Sequence, residues 1–241
     1  MEEKKYTYED FLKIVETLRS EEGCPWDRQQ THMSLRPCMT EEAAEVNGAI
    51  RILEQTGSCE NLREELGDVL LQVVMHAQIA KEEGLFDMGD VVSEVAAKMV
   101  RRHPHVFGNL AVEGPGQVLE NWEEIKKKEK EGKTITESVL REIPKELPAL
   151  TRAQKVLKKA DKLYEPQGDF KACAEQILDA AKRLKMCTPV DYDPEISRLT
   201  GDILMALSRI AGLCRLSQEQ ILTDRTEDLI DRLEGAEKKV P

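Results

Sequence analysis

The sequence predicts an all-α protein, and three observations carry that prediction. Ala, Leu, Glu and Lys, all strong helix formers, dominate a chain in which aromatic residues are only 4% and Gly and Pro are sparse. No run alternates apolar and polar residues for long enough to require a strand. Successive segments close on Gly or Pro, the residues that stop helices. At 241 residues the chain suits one large or two small domains.

The first helix is expected from about Tyr8 to Ser20, with Phe11, Leu12, Ile14, Val15 and Leu18 on its apolar side and Gly23 to Pro25 ending it. A loop to Pro37 follows. Thr40 is a candidate N-cap for the next helix, because its hydroxyl can accept an amide proton near Glu42 or Ala43 while the early glutamates favour the positive helix end. Gly57-Ser58 turns the chain, and a helix from about Glu60 to Glu83 ends at Gly84. Asp87 or Asp90 starts another that reaches Arg102 before Pro104 stops it. The run from Asn121 to Lys133, rich in Lys and Glu, reads as a packed opening turn followed by a solvated helix or linker. Ile143 to Leu150 carries two prolines and marks a boundary, giving domains 1–143 and 144–241.

Acids at helical spacing supply the chemistry. Thr40-Glu41-Glu42-Ala43-Ala44-Glu45 is answered about twenty residues later by Glu64-Glu65-Leu66-Gly67-Asp68. Residues three or four apart share a helix face, so Glu42 stands beside Glu45, Glu65 beside Asp68, and Glu41 one turn behind Glu45. Like charges so placed repel, and two such pairs facing each other inside a bundle need a neutralising ion. Carboxylates without nearby His or Cys favour Mg²⁺, or Mn²⁺ in its place, over Zn²⁺. Asp68 opens the apolar run Val69 to Ala77, whose helix is expected to be buried nearly all round. A di-iron bundle would pair Glu-x-x-His with these acids, and none accompanies them.

The arrangement Glu-Glu-x-x-Glu, a spacer, then Glu-x-x-Asp resembles the MazG family of nucleoside triphosphate pyrophosphohydrolases. The likeness extends to Gly23-Cys24-Pro25-Trp26-Asp27 with Gln29 and Thr31, to Glu82 through Asp87, to Lys98 through Phe107, and to Trp122 through Lys126. It implies a MazG-like helical bundle over roughly residues 8 to 130 that hydrolyses nucleoside triphosphates to the monophosphate and pyrophosphate with Mg²⁺. It further implies a homodimer whose subunits complete each other's core. On this reading Glu42, Glu45, Glu65 and Asp68 hold the metal, and Glu41 is an outer ligand or the base that orients water. Lys98, Arg101 and Arg102, at i, i+3 and i+4, grip terminal phosphates. Lys126, four residues after Trp122, closes the pocket. Trp26 either stacks on a base or anchors its loop. His103 and His105 read as hydrogen-bonding groups at a helix end, and His76 as a core histidine with a partner.

The second half reads as a worn copy of the first. Glu175-Gln176-Ile177-Leu178-Asp179 stands in place of Glu-Glu-x-x-Glu, and Leu199-Thr200-Gly201-Asp202 in place of Glu65-Leu66-Gly67-Asp68. Asp228-Leu229-Ile230-Asp231-Arg232 replaces two cations of Lys98-Met99-Val100-Arg101-Arg102 with aspartates. Such a copy is expected to be structural. The competing reading of the whole chain is a non-catalytic nucleotide-binding or protein-interaction module, for which an intact acid quartet has no use.

A formal charge of −11 repels nucleic-acid backbones and anionic membranes alike. Six cysteines show no Cys-x-x-Cys spacing, and the chain reads as cytoplasmic with free thiols.

Overall fold

The computed structural model describes residues 5–129, 139–164, 166 and 168–237. Among them there is no strand and there are eleven helices, so the protein is all-α. They form two compact units, residues 1–131 and 132–241.

In the first unit, helix α1 (Tyr8–Leu18) opens with a capping box in which the Thr7 hydroxyl accepts from the Asp10 amide and the Asp10 carboxylate accepts from the Thr7 amide. Its Val15 is fully buried and packs with Leu35, Val74, Met75 and Ile79. Where the sequence predicts an uninterrupted loop to Pro37, a short helix α2 (Pro25–Gln29) intervenes. Gly23 precedes it because a Cβ there would lie 2.3 Å from the Thr17 carbonyl oxygen. Arg19, 5% exposed at its side chain, ties the segment down: it pairs with Glu82 at 2.7 Å and donates to the carbonyls of Asp27 and Gln30.

Helix α3 (Arg36–Thr56) begins four residues before the expected cap at Thr40. Pro37, taken in the sequence as the end of a loop, sits in the first turn instead, where its missing N–H costs nothing and its fixed φ is already helical. Helix α4 (Glu60–Glu82) packs against α3 along its length and against α1. Gly84, at φ +70°, lets the chain leave α4 in the left-handed region. Helix α5 (Met88–Arg102) starts from an Asp87–Asp90 capping box, and α6 (Pro104–Phe107) follows immediately. Helix α7 (Pro115–Lys128) packs on α5 and begins well before Asn121; residues 130–133 of the predicted charged run lie outside the described residues. The expectation that α4 is buried nearly all round from Val69 holds only for its C-terminal part. Gln72, Val74, Met75, Ala77, Ile79 and Ala80 are buried, but Leu66 and Leu70 are 52% and 38% exposed.

The second unit holds α8 (Ala149–Ala160), α9 (Phe170–Met186), α10 (Pro194–Leu213) and α11 (Gln218–Glu237). Its centre is the α9–α10 contact, with Cys173, Ala180, Leu199, Ala206 and Ala211 buried. Arg209 is buried there too, paired with Asp161 and donating to the Gly168 carbonyl at 3.1 Å.

Candidate metal and phosphate site

The α3–α4 packing brings acids from two helices together. Glu42, Glu45 and Glu65 each offer a carboxylate oxygen within 4.8 Å of the others, with Glu42 and Glu65 half-buried and Glu45 exposed. Partial removal from water, then repulsion from Asp68 and Glu45, raises the Glu42 carboxyl above the usual carboxylate range. Glu65 is raised in the same way, by desolvation and then by Glu45, Glu64 and Asp68. Asp68 is half-buried one turn after Glu65 and acts electrostatically on both glutamates.

Oxygens that crowd one another in this way suit a hard divalent cation. An octahedral ion with ligands at about 2.1 Å holds its oxygens roughly 3 to 4 Å apart, within the spread seen here. Among the described residues no nitrogen or sulfur ligand of a softer metal enters the cluster. Gln72, one turn beyond Asp68 and 7% exposed, hydrogen-bonds to Glu42, which lowers that carboxyl against the repulsion. Its own Oε1 is buried with no hydrogen-bond partner among the described residues. The sequence reading missed Gln72. The signal was present: a carboxamide at i+4 from Asp68, inside an otherwise apolar run.

A second group lies on α5 and α7. Arg101 and Arg102 both reach Glu129, just beyond α7, with closest approaches of 2.7 and 2.6 Å. Hydrogen bonds from Arg102 and then Arg101 hold the Glu129 carboxyl down to about 2. The Arg102 guanidinium carbon stands 5.3 Å from the Trp122 ring centroid, and His103 meets the same ring edge-on at 4.9 Å. Thus Arg101, Arg102 and Trp122 are brought together around an acid that the sequence reading passed over as one residue of a charged run. Lys98 is exposed three residues before Arg101, and Lys126 faces Glu123 on its own helix at 3.8 Å. Trp26 is 72% exposed in the first turn of α2, and Glu41 is exposed on α3.

Three of the histidines are hydrogen-bonding groups. The His103 Nδ1 donates to the Met99 carbonyl at 2.6 Å. His76 stacks on His32 with ring centroids 5.0 Å apart and their Nδ1 atoms hydrogen-bonded at 2.8 Å, and desolvation followed by His32 lowers the His76 pKa. The fourth, His105, has its Nδ1 buried with no hydrogen-bond partner among the described residues.

In the second unit the residues that the sequence reading sets against these acids meet different neighbours. Leu199 is 1% exposed in the core, and Asp202 is paired with Arg198 at 2.7 Å. Glu175, Gln176, Asp179 and Asp202 line a cavity of about 700 Å³ between α9 and α10.

Comparison with known proteins bears on both units. Residues 30–107 match the family model described as the MazG nucleotide pyrophosphohydrolase domain. The whole chain is 37% identical to the Thermotoga maritima nucleoside triphosphate pyrophosphohydrolase/pyrophosphatase MazG, of which it covers 89%. Over 95% of its length it is 36% identical to the Escherichia coli nucleoside triphosphate pyrophosphohydrolase, covering 86% of that protein. Over 92% of its length it is 40% identical to Bacillus subtilis YabN, of which it covers 45%. Among the described residues no helix is long and apolar enough to cross a membrane.

Proposed function

The chain belongs to the MazG family of nucleotide pyrophosphohydrolases, and from that premise we propose that its first unit hydrolyses nucleoside triphosphates to the monophosphate and pyrophosphate at a Mg²⁺ site. The observation that carries this reading is the convergence of Glu42, Glu45 and Glu65 within 4.8 Å on two packed helices.

Glu42, Glu45, Glu65 and Asp68 hold the cation, Mg²⁺ or Mn²⁺. When bound, such an ion neutralises charge on phosphoryl oxygens and lowers the pKa of a water ligand. Gln72, by donating to Glu42, orients it and partly offsets the rise of its pKa. Glu41, one turn before Glu45, orients the attacking water or takes its proton, sharing that task with Glu42. Lys98, Arg101 and Arg102 take the terminal phosphates, with Trp122 as a wall behind Arg102 and Lys126 closing the far side. Trp26, exposed on α2, offers its face to the base. The second unit, residues 144–241 on the sequence reading, is a degenerate copy that serves as scaffold. A second copy of the chain covers the exposed leucines 66 and 70 beside the acids, which makes the working form a homodimer. The substrate is a small nucleotide in the cytoplasm, with neither nucleic acid nor membrane as partner.

The test is hydrolysis of each triphosphate in ¹⁸O-labelled water, with and without Mg²⁺. Attack at the α-phosphorus puts the label in the monophosphate and releases pyrophosphate. Label in orthophosphate, or equal rates in EDTA, would defeat the reading.

A further inference from the structure

The two arginines assigned to the terminal phosphates already hold an anion of this chain. Arg101 donates from Nε to Glu129 Oε1 at 2.7 Å, and its Nη2 lies 2.7 Å from the same oxygen. Arg102 donates from Nε at 3.2 Å and from Nη2 at 2.6 Å to Oε2, a two-pronged contact. The Arg102 and Glu129 side chains are 17% and 18% exposed, so the contact is shielded from solvent more than an ordinary surface pair. A carboxylate and a phosphoryl group look alike to a guanidinium, since each presents two oxygens to its parallel N–H groups. Glu129 therefore stands where a terminal phosphate would.

We propose that Glu129 determines specificity as an internal competitor: it occupies the Arg101–Arg102 anion site and yields it only to a ligand that carries terminal phosphates. The proposal rests on the reading that these arginines grip the polyphosphate. A triphosphate brings several negative charges against one and can displace the carboxylate. A monophosphate, with nothing to reach the arginines, cannot. After cleavage the carboxylate returns to the arginines and helps pyrophosphate to leave. With its carboxyl held at about 2, Glu129 stays ionised at any working pH, so the competition does not switch off by protonation. A closed form favoured ten to one weakens apparent affinity by about tenfold.

The experiment compares wild type, E129Q, E129A and R102A in steady-state triphosphate hydrolysis and in inhibition by added pyrophosphate. Both Glu129 variants are expected to lower KM for triphosphate and the inhibition constant of pyrophosphate by about tenfold, with the monophosphate inhibition constant moving less than twofold, while R102A raises KM. If R102A raises KM and the Glu129 variants leave both constants unchanged or higher, Glu129 only positions the arginines and the proposal is overturned. If R102A changes nothing, the reading of the arginines falls and takes the proposal with it. Loss of helical circular dichroism in both Glu129 variants would also overturn it, by making the contact a requirement of the fold.

Discussion

Asp68 and Asp202 each follow a glycine two turns into a long helix that packs against another, yet their surroundings differ in charge. Around Asp68 stand Glu42 and Glu65, and the carboxyls of both are pushed up by desolvation and repulsion. Around Asp202 the protein has supplied its own cation: Arg198 bonds Asp202 at 2.7 Å and Glu195 at 3.0 Å. Leu199, which the sequence reading sets against Glu65, lies in the core at 1% exposure. One unit keeps carboxyls that repel one another across two helices, and in the other Asp202 is paired with an arginine on its own helix. Unsatisfied like charges oppose folding, so their presence on half-buried helix faces points to a ligand that neutralises them.

The comparison is broken most directly by writing the second unit's residues into the first. E42Q reproduces Gln176 and E65L reproduces Leu199. Each variant is expected to lose about a hundredfold or more of its pyrophosphate release, while its metal-free thermal stability stays equal to wild type or rises as repulsion is relieved. A variant within a few-fold of wild-type activity would erase the functional difference between the units.

Stability offers the next largest effect. At a hundredfold excess over its Kd, Mg²⁺ should stabilise the wild-type protein by about 2.7 kcal/mol, seen as a rise in Tm. E42Q should show little of that rise, and D202N should keep all of it.

Lys98→Ala should raise KM for triphosphates by about tenfold, the loss of one charge-assisted hydrogen bond, and should raise it less for diphosphates. Unchanged KM would return Lys98 to a solvated place near the end of α5.

The smallest effect is in pH. Because the folded Glu42 and Glu65 pKa values lie above their ordinary values, these groups add stability below the ordinary carboxylate pKa and lose it as pH rises through their raised values. In metal-free buffer wild type should therefore lose stability between acid and neutral pH relative to E42Q, and Mg²⁺ should abolish the difference. Parallel pH profiles would show that the acids do not interact.

Much of this was legible in sequence. Helix periodicity, capping residues such as Asp87, and Gly84 fixed α4 and α5 nearly to the residue, and three of the four proposed metal ligands converge as their spacing implied. The start of α3 was misread because Thr40 is a good cap by residue type, whereas Pro37 forms the first turn through backbone geometry. Leu70 is exposed although its run is apolar, since periodicity states that a face is hydrophobic and not what covers it. Glu129 and Gln72 were hidden for a different reason. Each matters through a partner on another helix, Arg102 for Glu129 and Glu42 for Gln72; the spacing of Gln72 from Asp68 hints at its place, but nothing along the chain encodes the pairing of Glu129.

The claim that the first unit carries the chemistry is tested most directly by pyrophosphate release at saturating Mg²⁺ from two double variants, E42Q/D68N and D179N/D202N. The account predicts near-complete loss in the first and activity within about twofold of wild type in the second, because Asp202 is already neutralised by Arg198. Loss confined to D179N/D202N would contradict it and move the active site to the second unit.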